Sequence, residues 1–424
     1  MLSDELRSHL CGRLLPFWKG LRDKEHGGFY GWMDSELRVD RKAVKGCILN
    51  SRILWFFSNA YLSLGEASQP GEENGADGLR EYADWAYRFL RDKCVDAERG
   101  GVYWSLDYRG EPEDTTKHTY NQAFAVYALS SYFRACHDWE ALELAERLIG
   151  VIEGRCFDEQ GYREALDVAF HPVANDKLSE NGVMADRTMN TLLHVLEAYT
   201  EYLLACREAQ RIAGGNLPAS DGGSREALRQ AGARREWRKA VTGKLHWILD
   251  LVAERVYNPE RRRQEVFFNL SMESLIDLHS YGHDIEAAWL IDRCLEVLGD
   301  EGLTRRMSPI LRSLETEVYE KAYARHSLAN ECERGVVDEK RVWWVQAEGV
   351  VGFYNAYQKT GERRYLEAVQ DIWGFIRAHL VDVLLRRGGE HKPGGGFPVL
   401  GLSGGAAGHL PGGDQCLRHA ADQA

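Results

Sequence analysis

The chain has 424 residues, 44% of them hydrophobic, with 12 Trp, 19 Tyr and 14 Phe. That composition supports a large core and excludes a disordered or collagen-like chain. Lys and Arg number 53 against 65 Asp and Glu, a net charge of −12 without a long basic run, which argues against nucleic acid as a partner. The opening MLSDELRSHL is broken by acids and Arg7, so neither an export signal nor a membrane span is expected, and the expected location is cytoplasmic. Nine cysteines, at 11, 47, 94, 136, 156, 206, 294, 332 and 416, form no CxxC pair. They read as small buried hydrophobes in a reducing compartment, not as disulfides or zinc ligands.

In chain order, apolar periodicity predicts helices over 2–20, 47–64, 78–93, 119–134, 139–154, 188–206, 228–253, 283–298, 303–322, 343–358 and 363–382. Segment 47–64 is apolar nearly all round, as a helix buried on several sides must be. Between the helices runs a repeat. DKEHGGFYGWMD at 23–34 and DAERGGVYWSLD at 96–107 both fit D-x-E-x-G-G-x-Y-x-x-x-D and start 73 residues apart. A looser copy, DEQGYREALD, starts at Asp158, and a fourth trace, NPERRRQEVFFN, at Asn258. Glycine pairs followed by aromatic and β-branched residues read as tight hairpins.

A unit of about 70 residues, two helices and a hairpin, repeats about six times in this length. Six such pairs closing on themselves make an all-α (α/α)6 barrel, a toroid of helix pairs with short β-hairpin insertions; an open superhelix is the alternative. Segment 211–226 reads as a flexible insertion. Residues 1–382 form the barrel domain. Residues 383–424 hold 11 glycines and no helical stripe, so this tail is expected to be disordered or divergent and the closing helix to be missing.

Several polar residues interrupt apolar faces. Arg52 lies within CILNSRILWFF and needs a partner or a polar cavity. HTYNQA opens a helix with His118, Tyr120, Asn121 and Gln122, readable as capping or as pocket chemistry. Asn190 and His194 stand four apart on an apolar face. In LHSYGHDIEAAWL, Tyr281-Gly282 reads as a turn; His283 opens a helix with Glu286 three residues on, the spacing of an imidazole oriented by a carboxylate. His279 and His283 raise a metal site, but HExxH is absent and no third ligand has suitable spacing. Trp343 and Trp344 precede Glu348 in RVWWVQAEGVVG, as core or as a surface that stacks on sugar. No Walker loop, GxSxG or kinase set occurs.

GGFYGWMD, KAVKGCILNSRILWFFSNAY, KHTYNQAFAVYALS, NDKLSENGVMADRTMNTLLHVLEAYTEY, SYGHDIEAAWL and WWVQAEGVVGF together resemble the cellobiose 2-epimerases of the N-acylglucosamine 2-epimerase superfamily, from about residue 10 to 382. The resemblance implies an (α/α)6 barrel that converts the reducing-end glucose of cellobiose and related β-1,4-disaccharides to mannose without cofactor or metal. It implies a ring-opened sugar, a cis-enediolate and two imidazoles on opposite faces. His283 would be one, oriented by Glu286. Arg52, Tyr120, Asn190 and His194 would hold sugar oxygens, with His194 helping at the carbonyl end, Trp343 and Trp344 walling the site and Glu348 lining it. The implied partner is the disaccharide, with the chain a monomer or homodimer.

The family's second acid/base histidine sits in a segment like W-K-x-P-Y-H-x-x-R, which nothing after Asp382 matches; His391, His409 and His419 are the histidines there. The alternatives are an N-acylglucosamine 2-epimerase, an aldose–ketose isomerase, a catalytically impaired sugar-binding protein, and an (α/α)6 glycoside hydrolase using Glu286 or Glu348.

Overall fold

The predicted stripes become two kinds of helix. A computed structural model describes residues 2–381 apart from 35, 66–75, 179–180, 215–231 and 233. Among the described residues the odd-numbered helices are α1 (Leu2–His9, Leu10–Leu14 and Leu15–Gly20 in succession), α3 (Ala76–Phe89), α5 (Trp139–Val151), α7 (Arg235–Leu251), α9 (Glu301–Lys321) and α11 (Arg363–Phe375). The even-numbered ones are α2 (Cys47–Leu64), α4 (Thr119–Cys136), α6 (Met189–Gly214), α8 (Tyr281–Leu298) and α10 (Trp343–Thr360). Even helices are buried on nearly every side, whereas odd helices bury one stripe, so the even set forms the inner ring and the odd set the outer.

The ring closes where α11 meets α1. Trp373 Nε1 donates to Glu5 Oε2 at 3.0 Å, Arg377 pairs with Glu5 at 2.8 Å, and His9 packs edge-on against Trp373. An open superhelix is thereby excluded, and the closed (α/α)6 form holds. Four outer helices end in one wide π turn (Leu90–Cys94, Ile152–Cys156, Val252–Val256, Ile376–Leu380) and pass directly into extended backbone.

The repeated hairpins share one construction. Asp23, Asp96, Asp158 and Asn258 each accept the backbone N–H groups two and three residues on, at 2.9–3.2 Å. The paired glycines Gly27–Gly28 and Gly100–Gly101 all have φ between 64° and 82°, which explains the Gly-Gly of the first two copies.

In α2, α4 and α6 a cation two residues before the helix completes the lock. Lys45 reaches Asp23 Oδ2 at 2.6 Å, Lys117 reaches Asp96 Oδ2 at 2.9 Å, and Arg187 reaches Asp158 at 2.8 Å. Where the fourth copy has neutral Asn258, the same place holds His279, which turns to Asp284 Oδ2 at 2.9 Å. In the fifth it holds Arg341, donating to Ser327 Oγ at 2.8 Å.

The fourth residue of the inner helix grips the hairpin strand. Asn50 accepts from Phe29 N, Asp284 from Gln264 N, and Gln122 and Gln346 bond both N–H and C=O of Val102 and Leu328. In the third copy Glu164, in the bend just after the hairpin strand, does this in reverse, accepting from Thr188 N and Thr191 Oγ1 at 2.7 Å.

Some expectations change. Tyr281 and Gly282 are not a turn but the first residues of α8, entered from Ser280. Residues 211–214, assigned to an insertion, continue α6; α7 is described from Arg235, and the expected start at 228 lies outside the described residues. Cys47, Cys94, Cys136, Cys156, Cys206 and Cys294 are buried free thiols; Cys11 and Cys332 are half-buried. No helix among the described residues is long and apolar enough to cross a membrane. The expected tail at 383–424, its missing closing helix, His391, His409, His419 and Cys416 all lie outside the described residues.

The lock is testable. Lys117 and Asp96 are fully buried, and Lys117→Met would strand the carboxylate, costing about 3–5 kcal/mol in denaturant unfolding. Breaking the exposed Lys359–Glu296 pair by Lys359→Met should cost under about 1 kcal/mol.

Candidate active site

Each inner helix is tied to its hairpin at its first turn, by the full lock in α2, α4 and α6 and by the fourth-residue grip in α8 and α10, so residues at equal helix positions fall in one layer around the axis. Positions two, six and nine share a helix face. At position two stand Tyr120, Asn190, Gly282 and Trp344; at six, Arg52, Phe124, His194, Glu286 and Glu348; at nine, Trp55, Tyr127, Glu197 and Trp289. Arg52, Tyr120, Asn190, His194, Glu286, Trp344 and Glu348 thus belong to one constellation. Trp343, half-buried, lies one residue before Trp344 and so about 100° round the helix.

Contacts run from sector to sector. The Arg52 guanidinium lies over Phe124 at 4.1 Å and donates to the Tyr120 hydroxyl at 2.9 Å. His194 packs on Phe124 at 4.7 Å and edge-on to Tyr120 at 5.0 Å. Its Nε2 stands 3.9 Å from Glu286 Oε1, and Trp289 Nε1 donates to Glu348 Oε2 at 2.9 Å. Below, Trp55 stacks on Tyr127 at 5.5 Å. His283, half-buried at position three, packs against Trp344 at 4.9 Å. Gly282 makes that contact possible: a Cβ there would sit 2.4 Å from the Trp344 ring.

The inferred His283–Glu286 pairing is replaced. His283 Nδ1 bonds Ser280 Oγ at 2.7 Å, while Glu286 faces His194. The i,i+3 spacing suggested a His283–Glu286 pair, but side chains in a first turn lean toward the helix N-terminus, which sends His283 to its cap residue. His194 in turn pairs with Glu197, through Nδ1 at 2.9 Å. The signal for this was present as a second His-x-x-Glu. Asn190, half-buried, has no partner for Oδ1 among the described residues. His279 is consumed by Asp284, and no cluster among the described residues has the makings of a metal site. His118 is buried against Trp104 without a side-chain capping bond, and Gln122 is buried and serves the hairpin, so the capping reading of HTYNQA holds for neither.

Burial sets the protonation states. Burial, with His194 nearby, pulls His283 down to about 3, so its imidazole is neutral near pH 7. His194 is also lowered by burial, against the pull of Glu197 and with Arg52 adding to the depression. Glu286 moves the other way: burial and the carboxylates of Glu348 and Glu197 push it well above the usual carboxylate range, against Arg52. Glu286 Oε2 has no hydrogen-bond partner among the described residues. The centre therefore combines neutral imidazoles, a carboxyl held toward its acid form, one guanidinium and an indole face, a set suited to moving protons on a polyhydroxylated ligand.

Residues 28–210 and 230–390 match the family model of the N-acylglucosamine 2-epimerases. The chain belongs to the N-acylglucosamine 2-epimerase family. Within it, the chain is 44% identical over 390 residues to the cellobiose 2-epimerase of Ruminococcus albus, covering 92% of this chain and 90% of that protein. It is 45% identical over 382 residues to the cellobiose 2-epimerase of Eubacterium cellulosolvens, covering 90% and 88%. The solved structure of a sugar epimerase from a ruminal bacterium superposes with a TM-score of 0.84 at 40% identity, covering 100% of this chain and 99% of that one.

An NMR titration of labelled histidine should find His283 still neutral at pH 5. A midpoint near 6.5 would contradict the buried setting. Gly282→Ala should displace Trp344, lowering its fluorescence contribution and activity together.

Proposed function

We propose that this chain epimerises C2 of the reducing-end glucose of cellobiose and related β-1,4-disaccharides to mannose. The reading is carried by a neutral imidazole, His283, lodged against Trp344, in a chain 44–45% identical to cellobiose 2-epimerases over nine-tenths of its length. With Nδ1 held by Ser280, Nε2 is the nitrogen for proton transfer. In the open-chain sugar it takes the C2 proton; the C2–H electron pair forms the C1–C2 double bond, and the carbonyl oxygen gains negative charge. Arg52 and Tyr120 hold sugar oxygens; His194 stands at the carbonyl end beside Asn190 and protonated Glu286, whose N–H and O–H are donors placed where charge develops. Trp344 walls the sugar, with Trp343 and Glu348 completing the rim.

By the family resemblance a second acid delivers a proton to the other face of C2 as the C1–C2 electron pair returns to C2 and the carbonyl re-forms, giving mannose, while His283 passes its proton to water. The absence of a W-K-x-P-Y-H-x-x-R pattern after Asp382 favours a second reading, a sugar-binding protein that exchanges the C2 proton on one face only. Hydrolysis fits poorly, because it requires carboxylates flanking the scissile bond, whereas Glu286 and Glu348 are neighbours in one layer.

The test is cellobiose in D2O followed by NMR. Deuterium at C2 together with 4-O-β-glucosylmannose is expected, and His283→Asn should lower exchange at least about 100-fold. Deuterium without the epimer supports the second reading. Free glucose, or no exchange by folded protein, overturns the proposal.

A further inference from the structure

Glu197 has no place in the chemistry described so far, yet its surroundings are specific. It lies one turn below His194 on α6, nearly buried, with Oε2 at 2.9 Å from His194 Nδ1. Tyr127 hydrogen-bonds it from α4, and Arg293 of α8 faces it. Three inner helices thus hold one carboxylate against one ring nitrogen. The other nitrogen, Nε2, points toward Glu286 at 3.9 Å. The ring is clamped by Tyr120 and Phe124, so it has no freedom to exchange its two nitrogens.

We propose that Glu197 is a positioning residue for His194: its carboxylate accepts the Nδ1–H, which fixes the tautomer and presents the Nε2 lone pair to the sugar and to Glu286. An imidazole whose Nδ1–H is bound to a carboxylate is a stronger acceptor at Nε2. The consequence for turnover rests on the epimerase reading; the tautomer does not. The groups facing His194 are Glu197 and Asn190 on its own helix, Arg52 of α2, Tyr120 of α4, and Glu286 and His283 of α8. Of these, Glu197 provides the carboxylate in hydrogen-bond contact.

The experiment uses the full chain with labelled histidine, His194 being assigned by loss of its signal in His194→Asn. Wild-type His194 is expected as the Nδ1–H tautomer between pH 6 and 8; the Nε2–H tautomer would overturn the proposal whether or not the protein turns over cellobiose. In Glu197→Gln the amide oxygen still accepts but the charge is gone. Exchange at C2 should fall about tenfold in kcat with KM for cellobiose within twofold, since such supporting partners are typically worth about 10–100-fold. A carboxylate beside an imidazole favours its protonated form, so removing the charge moves the acid limb of the pH profile down by about one unit. Glu197→Leu should lose the single tautomer and about 100-fold in rate, about tenfold more than Glu197→Gln loses. An unmoved profile and unchanged kcat in Glu197→Gln would overturn the role of Glu197 while leaving the reaction standing. Wild-type protein with the expected tautomer but no exchange would overturn the reaction while leaving Glu197 its role.

Discussion

The structure depends on one repeated interaction: a buried cation, two residues ahead of an inner helix, bonded to the carboxylate that shapes the preceding hairpin. Lys45–Asp23, Lys117–Asp96 and Arg187–Asp158 are its three full instances. A charge taken out of water is tolerated only with a close partner and further hydrogen bonds. Lys45 and Lys117 meet this condition, each adding a hairpin carbonyl, Gly27 O at 2.7 Å and Gly100 O at 3.0 Å. The pair therefore fixes where each helix starts, and a common start places equal positions of different helices in one layer. The site follows from that registration, with no loop needed to assemble it.

Its chemistry follows from what the layers bury. Glu286 lies close to Glu197 and Glu348, and burial together with those two carboxylates raises its proton affinity. Glu348 is held by the Trp289 indole and Glu197 by His194 and Tyr127. Glu286 lacks a hydrogen bond at Oε2 among the described residues, and burial drives it toward its acid form. Beside it the same burial keeps His194 and His283 neutral. A proton donor and two proton acceptors result near neutral pH, without a metal cluster among the described residues.

Much of this was legible in the sequence. Helix stripes located the eleven helices among the described residues because an apolar face has a period that solvent enforces. The D-x-E-x-G-G repeat predicted the hairpins down to the weak copy at Asn258, whose amide oxygen makes the same turn as an aspartate. Arg52, Tyr120, Asn190, His194, Glu286, Trp344 and Glu348 were singled out as polar or aromatic oddities, and equal offsets from the helix starts unite them. Pairing was less legible. Residues three apart on a helix can meet, but which pair does depends on the lean of the side chains and on what crosses from the next helix. Hence His283 found Ser280, and Glu286 crossed to His194. Gly282 read as a turn because sequence alone does not reveal the Trp344 ring that occupies its missing Cβ.

Whether the centre holds a neutral Glu286 is read directly by isotope-edited difference infrared spectroscopy of wild type against Glu286→Gln at pH 7. A protonated-carboxyl C=O band in wild type, absent from the variant, is the expected result. A difference spectrum containing only carboxylate bands would mean that Glu286 is ionised, and the electrostatic balance assigned to the layers would be wrong.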